Sequence, residues 1–387
     1  MPWAYSTLGG RVRSPYFSGG EVCGSSSGSA VSTALGLGAF SIGTQTGISI
    51  VCPAAYAGLV GFKPGPHAVD KKGVIPISAH LDAVGPITRT VEDARLVAAV
   101  LHTQKLPACC SRSAKSQWRV GVARNHVFGP REEYADSQAL LDAREWLISQ
   151  LRQSSHVQLF ERDFDEALVE KFRNGGSDAT ATIAVHDQAT GMIKYLQGLR
   201  HADGIRSVSD IVARHKLLAP ISLPPGPDPP AGFNLSDPER RNGDQYFFEE
   251  AASIKRLGYS NATYRAALRT AHEIGNEEML EPYFRQDDLD VLVTLTIGSI
   301  AALTSMAGSP VLTVPLGFHD ANLSLHGAGW PFDPYPNQPF GIAISALKGN
   351  EADVLCFGEI VEQITSARTG PEERRSRLRH EVVASFY

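Results

Sequence analysis

Residues Cys23 to Pro66 read CGSSSGSAVSTALGLGAFSIGTQTGISIVCPAAYAGLVGFKPGP. Lys63 is the one charged residue in this run, which is dense in Gly, Ser and Ala. Two hydroxyl-rich turns, 24–29 and 44–49, bracket an apolar small-residue segment, Ala30 to Phe40. That segment predicts a helix buried on all sides. Glycines let a backbone approach a substrate closely and aim successive N–H groups at one point. A serine at the end of such a turn can be a nucleophile, with those N–H groups holding the oxyanion. Tight packing or a phosphate cradle uses the same composition, so composition alone leaves these uses open. No G-x-x-x-x-G-K-[ST] loop occurs, and a P-loop reading gains no support.

Taken whole, the stretch resembles the signature region of the amidase signature family. The family's usual run is G-G-S-S-G-G-S-A, a helix, G-T-D-T-G-G-S, then P-A and G-x-K-P. Gly24-Ser25-Ser26-Ser27-Gly28-Ser29-Ala30 fits the first block, and Gly43-Thr44-Gln45-Thr46-Gly47-Ile48-Ser49 fits the second. Pro53-Ala54 and Gly61-Phe62-Lys63-Pro64 close it. Ser49-Ile50-Val51-Cys52-Pro53 looks most like a fungal-type branch. Further blocks match along the chain: Gly73 to Ser78, Asp82 to Pro86, Ser305 to Pro310, Thr313 to Gly317 and Pro339 to Ile344. The resemblance covers nearly the whole chain and is loosest in the middle.

The resemblance implies an α/β amidase-signature fold, a central mixed β-sheet sandwiched between helices, in a single domain over 1–387. It implies hydrolysis of a carboxylic amide C–N bond through a serine acyl-enzyme. Ser49 would be the nucleophile, and Ser25 the bridging serine, held through a cis peptide bond to the residue before it. Backbone N–H groups of Thr46, Gly47, Ile48 and Ser49 would form the oxyanion hole, with Ser26 in the substrate-binding set. No cofactor or metal is implied. The substrate would be a small-molecule amide, and a homodimer is a further expectation.

Two departures from the family run are visible. Ile48 stands where the run has its second glycine, and a β-branched residue does not readily take φ > 0. The family's general base is a lysine upstream of the bridging serine; no lysine precedes Ser25, and the first is Lys63. The resemblance thus begins mid-domain, and a Lys-bearing N-terminal part is expected to be missing, with exposed apolar surface and poor solubility as the consequence. Three readings stay open: an amidase, a catalytically inactive homologue acting as a binding or scaffold protein, and an esterase or acyl-transfer relative using the same serine.

Bulk properties narrow the class. The chain has 387 residues, 43% hydrophobic and 20% charged, with net charge −5. This is an ordinary globular composition with enough apolar residues for a large core. No basic stripe occurs, which argues against nucleic acid. No run of 18 apolar residues suggests a membrane span, and Met1 to Gly10 lacks the pattern of a signal peptide. The five cysteines, Cys23, Cys52, Cys109, Cys110 and Cys356, form no C-x-x-C pair. Reduced thiols in a cytoplasmic protein are expected, and zinc is not.

The remaining segments support layered α/β architecture. Thr90 is a helix N-cap before Val91 to His102. Arg119 to Ala123, Val157 to Phe160 and Asp290 to Thr296 predict strands. Asp136 to Arg152 and Glu351 to Thr365 predict helices. From 166 to 284 the chain predicts a helical, substrate-side region, broken by a proline-rich loop at 220–238. Asp82 is expected to bind backbone, and His80 to line a loop.

Overall fold

Eight strands form one mixed sheet, in the order β3-β5-β4-β9-β10-β8-β6-β7. The computed structural model describes residues 4–17, 20, 22–106, 115–123, 138–218, 245–254, 261–296, 300–323 and 334–366. A short hairpin, β1 (Tyr5–Ser6) and β2 (Gly10–Arg11), comes first. Then follow α1 (Ser27–Ala34), β3 (Ser41–Gln45), α2 (Val51–Tyr56), β4 (Val60–Lys63), β5 (Ala83–Thr88) and α3 (Val91–Leu101). Next come β6 (Trp118–Val122), α4 (Gln138–Gln153) and β7 (Val157–Glu161). The helical region holds α5 (Glu166–Lys171), α6 (Ser177–Gln197), α7 (Val208–Leu217), α8 (Tyr246–Ala252), α9 (Asn261–His272) and α10 (Glu281–Gln286). The chain returns to the sheet through β8 (Val291–Leu295), α11 (Ile300–Ala307), β9 (Val311–Phe318), β10 (Pro339–Ser345) and α12 (Glu351–Ser366).

Pairing is antiparallel from β3 across to β8, then parallel from β8 through β6 to β7. Helices cover both faces, so the central strands β4 and β10 are buried at every residue. One face packs α3, α4 and α12 through Val91, Leu147 and Phe357. The other packs α2, α6, α9 and α11 through Val51, Ile183, Ala271 and Leu303. This is the α/β sandwich with a central mixed sheet that the sequence predicts. The N-cap of α3 is also as expected: Thr90 Oγ1 accepts from the Asp93 N–H at 3.1 Å. The proline-rich loop at 220–238 lies outside the described residues.

Two expectations are corrected. The segment 30–40 is not a helix buried all round. α1 ends at Ala34, where Gly36 takes φ +76, and only Ser27, Ala30, Val31 and Thr33 are buried on it. Leu35, Leu37 and Phe40 before β3, and Ile42 within it, stand exposed at one edge of the sheet. Nor are all cysteines reduced: Cys23 and Cys52 form a disulfide. That pairing removes the ground on which the sequence placed the chain in the cytoplasm. Cys109 and Cys110 lie outside the described residues. Among the described residues no helix is long and apolar enough to cross a membrane.

Lys63, at the end of β4, is fully buried. Its Nζ donates to the carbonyls of Ser309 at 2.7 Å and Thr304 at 3.3 Å. Burial pushes its pKa down to about 7, against a smaller upward pull from Glu351. A lysine in the unfolded chain titrates near about 10.4. Between these values the folded chain binds fewer protons than the unfolded one, so stability rises with pH. Below about pH 7 the charge is held in both states and the burial cost is felt in full. The urea midpoint of the protein should therefore climb from pH 7 to 9 relative to that of Lys63→Met. A constant offset between the two across that range would contradict the assignment.

Candidate active site

The two hydroxyl-rich turns meet at the sheet edge. The first precedes α1, and the second joins β3 to α2. The Ser26 N–H donates to the Ser49 carbonyl at 3.2 Å. The Ser26 hydroxyl accepts from the Thr44 N–H at 3.1 Å and lies 3.2 Å from the Thr44 carbonyl, to which it donates. This approach requires Gly43, because a Cβ there would sit 2.9 Å from Ser26 Oγ. Ser26 is therefore spent on holding the turns together rather than left open to a ligand. The Gly24–Ser25 peptide bond is cis.

Gln45 closes the second turn. It is buried at the end of β3, and its Oε1 accepts from the N–H groups of Ile50 at 2.8 Å and Val51 at 3.0 Å. These are among the N–H groups that open α2, which have no partner within the helix. Its Nε2 donates to the Gly47 carbonyl at 2.8 Å, and Ser305 Oγ donates to the same carbonyl at 3.0 Å. Thr46 Oγ1 donates to Asp82 Oδ1 at 2.6 Å, while Asp82 Oδ2 accepts from the Ile77 and Ser78 N–H groups. Burial pushes the Asp82 carboxyl above the usual range, partly offset by those donors and by Lys71.

The carbonyls of Gly47, Ile48 and Ser49 and the Thr46 hydroxyl are thus taken, and the N–H groups of the turn are not. Among the described residues, none of the N–H groups of Thr46, Gly47, Ile48 and Ser49 donates a hydrogen bond. Four successive donors without an internal acceptor are a grouping that can hold an anion. Ile48 is absent from the non-glycine residues with positive φ, so its β-branched side chain sits in ordinary backbone. It packs, half-buried, against the cores around Val51 and Cys52.

Ser49 is half-buried and Ser25 exposed. Neither hydroxyl has a hydrogen-bond partner among the described residues. The lysines nearest in sequence are engaged elsewhere. Lys63 is held as described, and Lys71 Nζ donates to the carbonyls of Ala79 at 2.8 Å and Asp82 at 3.1 Å. Burial lowers the Lys71 pKa, and Asp82 and Asp187 counter it.

A polar cluster ties the helical region to the loop that carries Asp82. Asp187 on α6 accepts from Ser78 Oγ at 2.6 Å and from Tyr264 of α9 at 2.5 Å, and His80 Nδ1 lies 2.9 Å away. Burial works against ionised Asp187, but these three partners together hold its carboxyl below the usual range. His80 lines the loop, as expected, with its ring half-exposed. Asp82 binds backbone, as expected, and also Thr46. Sequence reading missed Gln45, Ser305 and Asp187. For Gln45 a signal was visible, since it stands where the family run has Asp; the other two carry none.

The fold has counterparts among known proteins. The Amidase family model matches residues 4–214, more than half of the chain, and the chain belongs to that family. A probable amidase of Arabidopsis thaliana is 25% identical over 381 residues, covering 96% of this chain and 66% of the relative. A putative amidase of Arthroderma benhamiae is 24% identical over 384 residues, covering 94% of this chain and 60% of the relative. The chain thus spans less than two thirds of the length of these relatives. The crystal structure of a peptide amidase from Stenotrophomonas maltophilia superposes with a TM-score of 0.72 at 25% identity, over 94% of this chain and 70% of that one.

Replacing Gln45 with Ala should lower folding stability by about 2 kcal/mol or more, because buried N–H groups at the start of α2 lose their acceptor. Gln45→Glu should also be less stable than the wild type, since a carboxylate still accepts from both but cannot donate to the Gly47 carbonyl. Urea denaturation of the three proteins makes the comparison. Equal midpoints would mean that the turn is held by other contacts.

Proposed function

We propose that the chain hydrolyses a carboxylic amide through an acyl-enzyme on Ser49. The observation that carries this reading is the run of four unpaired N–H groups at Thr46, Gly47, Ile48 and Ser49. A tetrahedral intermediate on Ser49 would place its oxyanion beside these donors, which are fixed before the substrate arrives. Fixed donors in a turn closed by Gln45, Thr46 and Ser305 need no rearrangement during the reaction. Ser25 would pass the nucleophile's proton onward and return it to the leaving amine. Asp82 positions the turn through Thr46, and Asp187 positions the Asp82 loop through Ser78. Membership of the Amidase family supports amide hydrolysis, and the S. maltophilia peptide amidase supports an amide as the substrate class. A single domain acting on a small-molecule amide completes the proposal.

One observation favours a second reading, a non-catalytic relative that binds amides in the same cradle. The amines of Lys63 and Lys71 are bonded to main-chain carbonyls, so neither is placed to accept a proton from Ser25. A positioned base contributes roughly 10²–10⁴-fold to such a reaction.

A fluorophosphonate probe separates the two. The proposal expects one probe mass on the intact protein, mapped to Ser49 and absent in Ser49→Ala. It also expects ammonia release from a simple primary amide, lowered at least about 10³-fold in Ser49→Ala. Folded protein that takes no label and releases no ammonia, yet still binds the amide, would replace hydrolysis with the second reading.

A further inference from the structure

The Cys23–Cys52 disulfide flanks both candidate catalytic serines. Cys23 lies just before the cis Gly24–Ser25 bond, and Cys52 lies in the first turn of α2, just after Ser49. The two cysteines are 29 positions apart, with Cα atoms 6.0 Å apart, and both are buried. They pack with Ala55 and Tyr56, and Ile48 lies against this group.

Ser25 itself is exposed, and its hydroxyl has no partner among the described residues. Its position is therefore set by the backbone on either side. On one side Ser26 is bonded to the Ser49 carbonyl and to Thr44. On the other, Cys23 is bonded covalently to α2. Cys23 also takes φ +51, a left-handed backbone that a non-glycine residue keeps only where its surroundings enforce it. The Ser27 hydroxyl, donating to the Cys23 carbonyl at 2.5 Å, is a second restraint.

We infer that the Cys23–Cys52 disulfide is a positioning brace that holds Ser25 at working distance from Ser49, so that turnover depends on the oxidised state. The inference rests on the proposed hydrolysis. Proton relay between two serines is sensitive to displacements of about 1 Å. A dithiol reductant would break the S–S bond, leave a thiol on each cysteine, and be oxidised to its own disulfide. Ser25 would then be anchored from Ser26 alone.

The test uses the full chain purified without reductant, first mapped for the Cys23–Cys52 linkage under non-reducing conditions. Ser49 labelling by a fluorophosphonate is followed over a range of probe concentrations, with and without dithiothreitol. The maximal labelling rate should fall about tenfold or more on reduction. The half-saturating concentration should stay within about twofold, which a general loss of structure would not produce. The double variant Cys23→Ala/Cys52→Ala should match the reduced protein and ignore dithiothreitol. If that variant does not fold, as judged by circular dichroism, the reduced wild-type chain decides alone. Hydrogen exchange at the amides of 24–29 and 46–52 should quicken on reduction in either case. An unchanged labelling rate with the linkage broken would overturn the brace and leave hydrolysis standing. No labelling in either state would remove hydrolysis and the brace's catalytic role with it. Unchanged exchange, or free thiols at Cys23 and Cys52 in the oxidised preparation, would overturn the brace regardless of activity.

Discussion

The carboxamide of Gln45 decides what the turn between β3 and α2 can do. A five-residue turn between a strand and a helix carries more polar backbone groups than it can pair internally. Gln45 absorbs two N–H groups at the start of α2 and one carbonyl in mid-turn. Ser305 of α11 takes the same carbonyl, and Thr46 is tied to Asp82. What remains is four N–H groups that share one neighbourhood. Because this selection is made by buried side chains, the donors are fixed without a ligand. That preorganisation is what oxyanion stabilisation requires.

The same turn is where the sheet meets the helices of one face. β3 brings it to the edge of the sheet, α2 carries the chain away beneath it, and α11 supports it through Ser305. The helical region reaches it indirectly. Asp187 binds Ser78 and Tyr264, and the backbone of Ser78 binds Asp82. A change in α6 or α9 can therefore reach Thr46 through a short chain of hydrogen bonds. Lys63 plays a comparable part at the end of β4, joining it to the carbonyls of Thr304 in α11 and Ser309 after it.

Regular elements were largely legible in the sequence. Leu140, Ala143, Leu147 and Leu151 fall at helical spacing, and all are buried on α4. Thr90 caps α3 by a local interaction with Asp93, three residues on. The misreading of 30–40 has a physical cause. Small apolar residues read as core, but Gly36 turned the chain at the sheet edge and left Leu37 and Phe40 facing outward. Ile48 is instructive in the opposite sense. A glycine was expected for its φ, yet this turn keeps ordinary dihedrals and uses the isoleucine as packing.

By itself the sequence determined which residue types stand at the two turns, where the capped helices begin, and which strands are apolar enough to be central. These follow from neighbours a few positions apart. The tertiary structure alone decided that Cys23 pairs with Cys52 at a separation of 29, that Thr46 meets Asp82 at 36, and that Lys63 meets Ser309 at 246. It also decided which N–H groups stay unpaired. That depends on every donor and acceptor brought nearby by the fold, which no local pattern encodes.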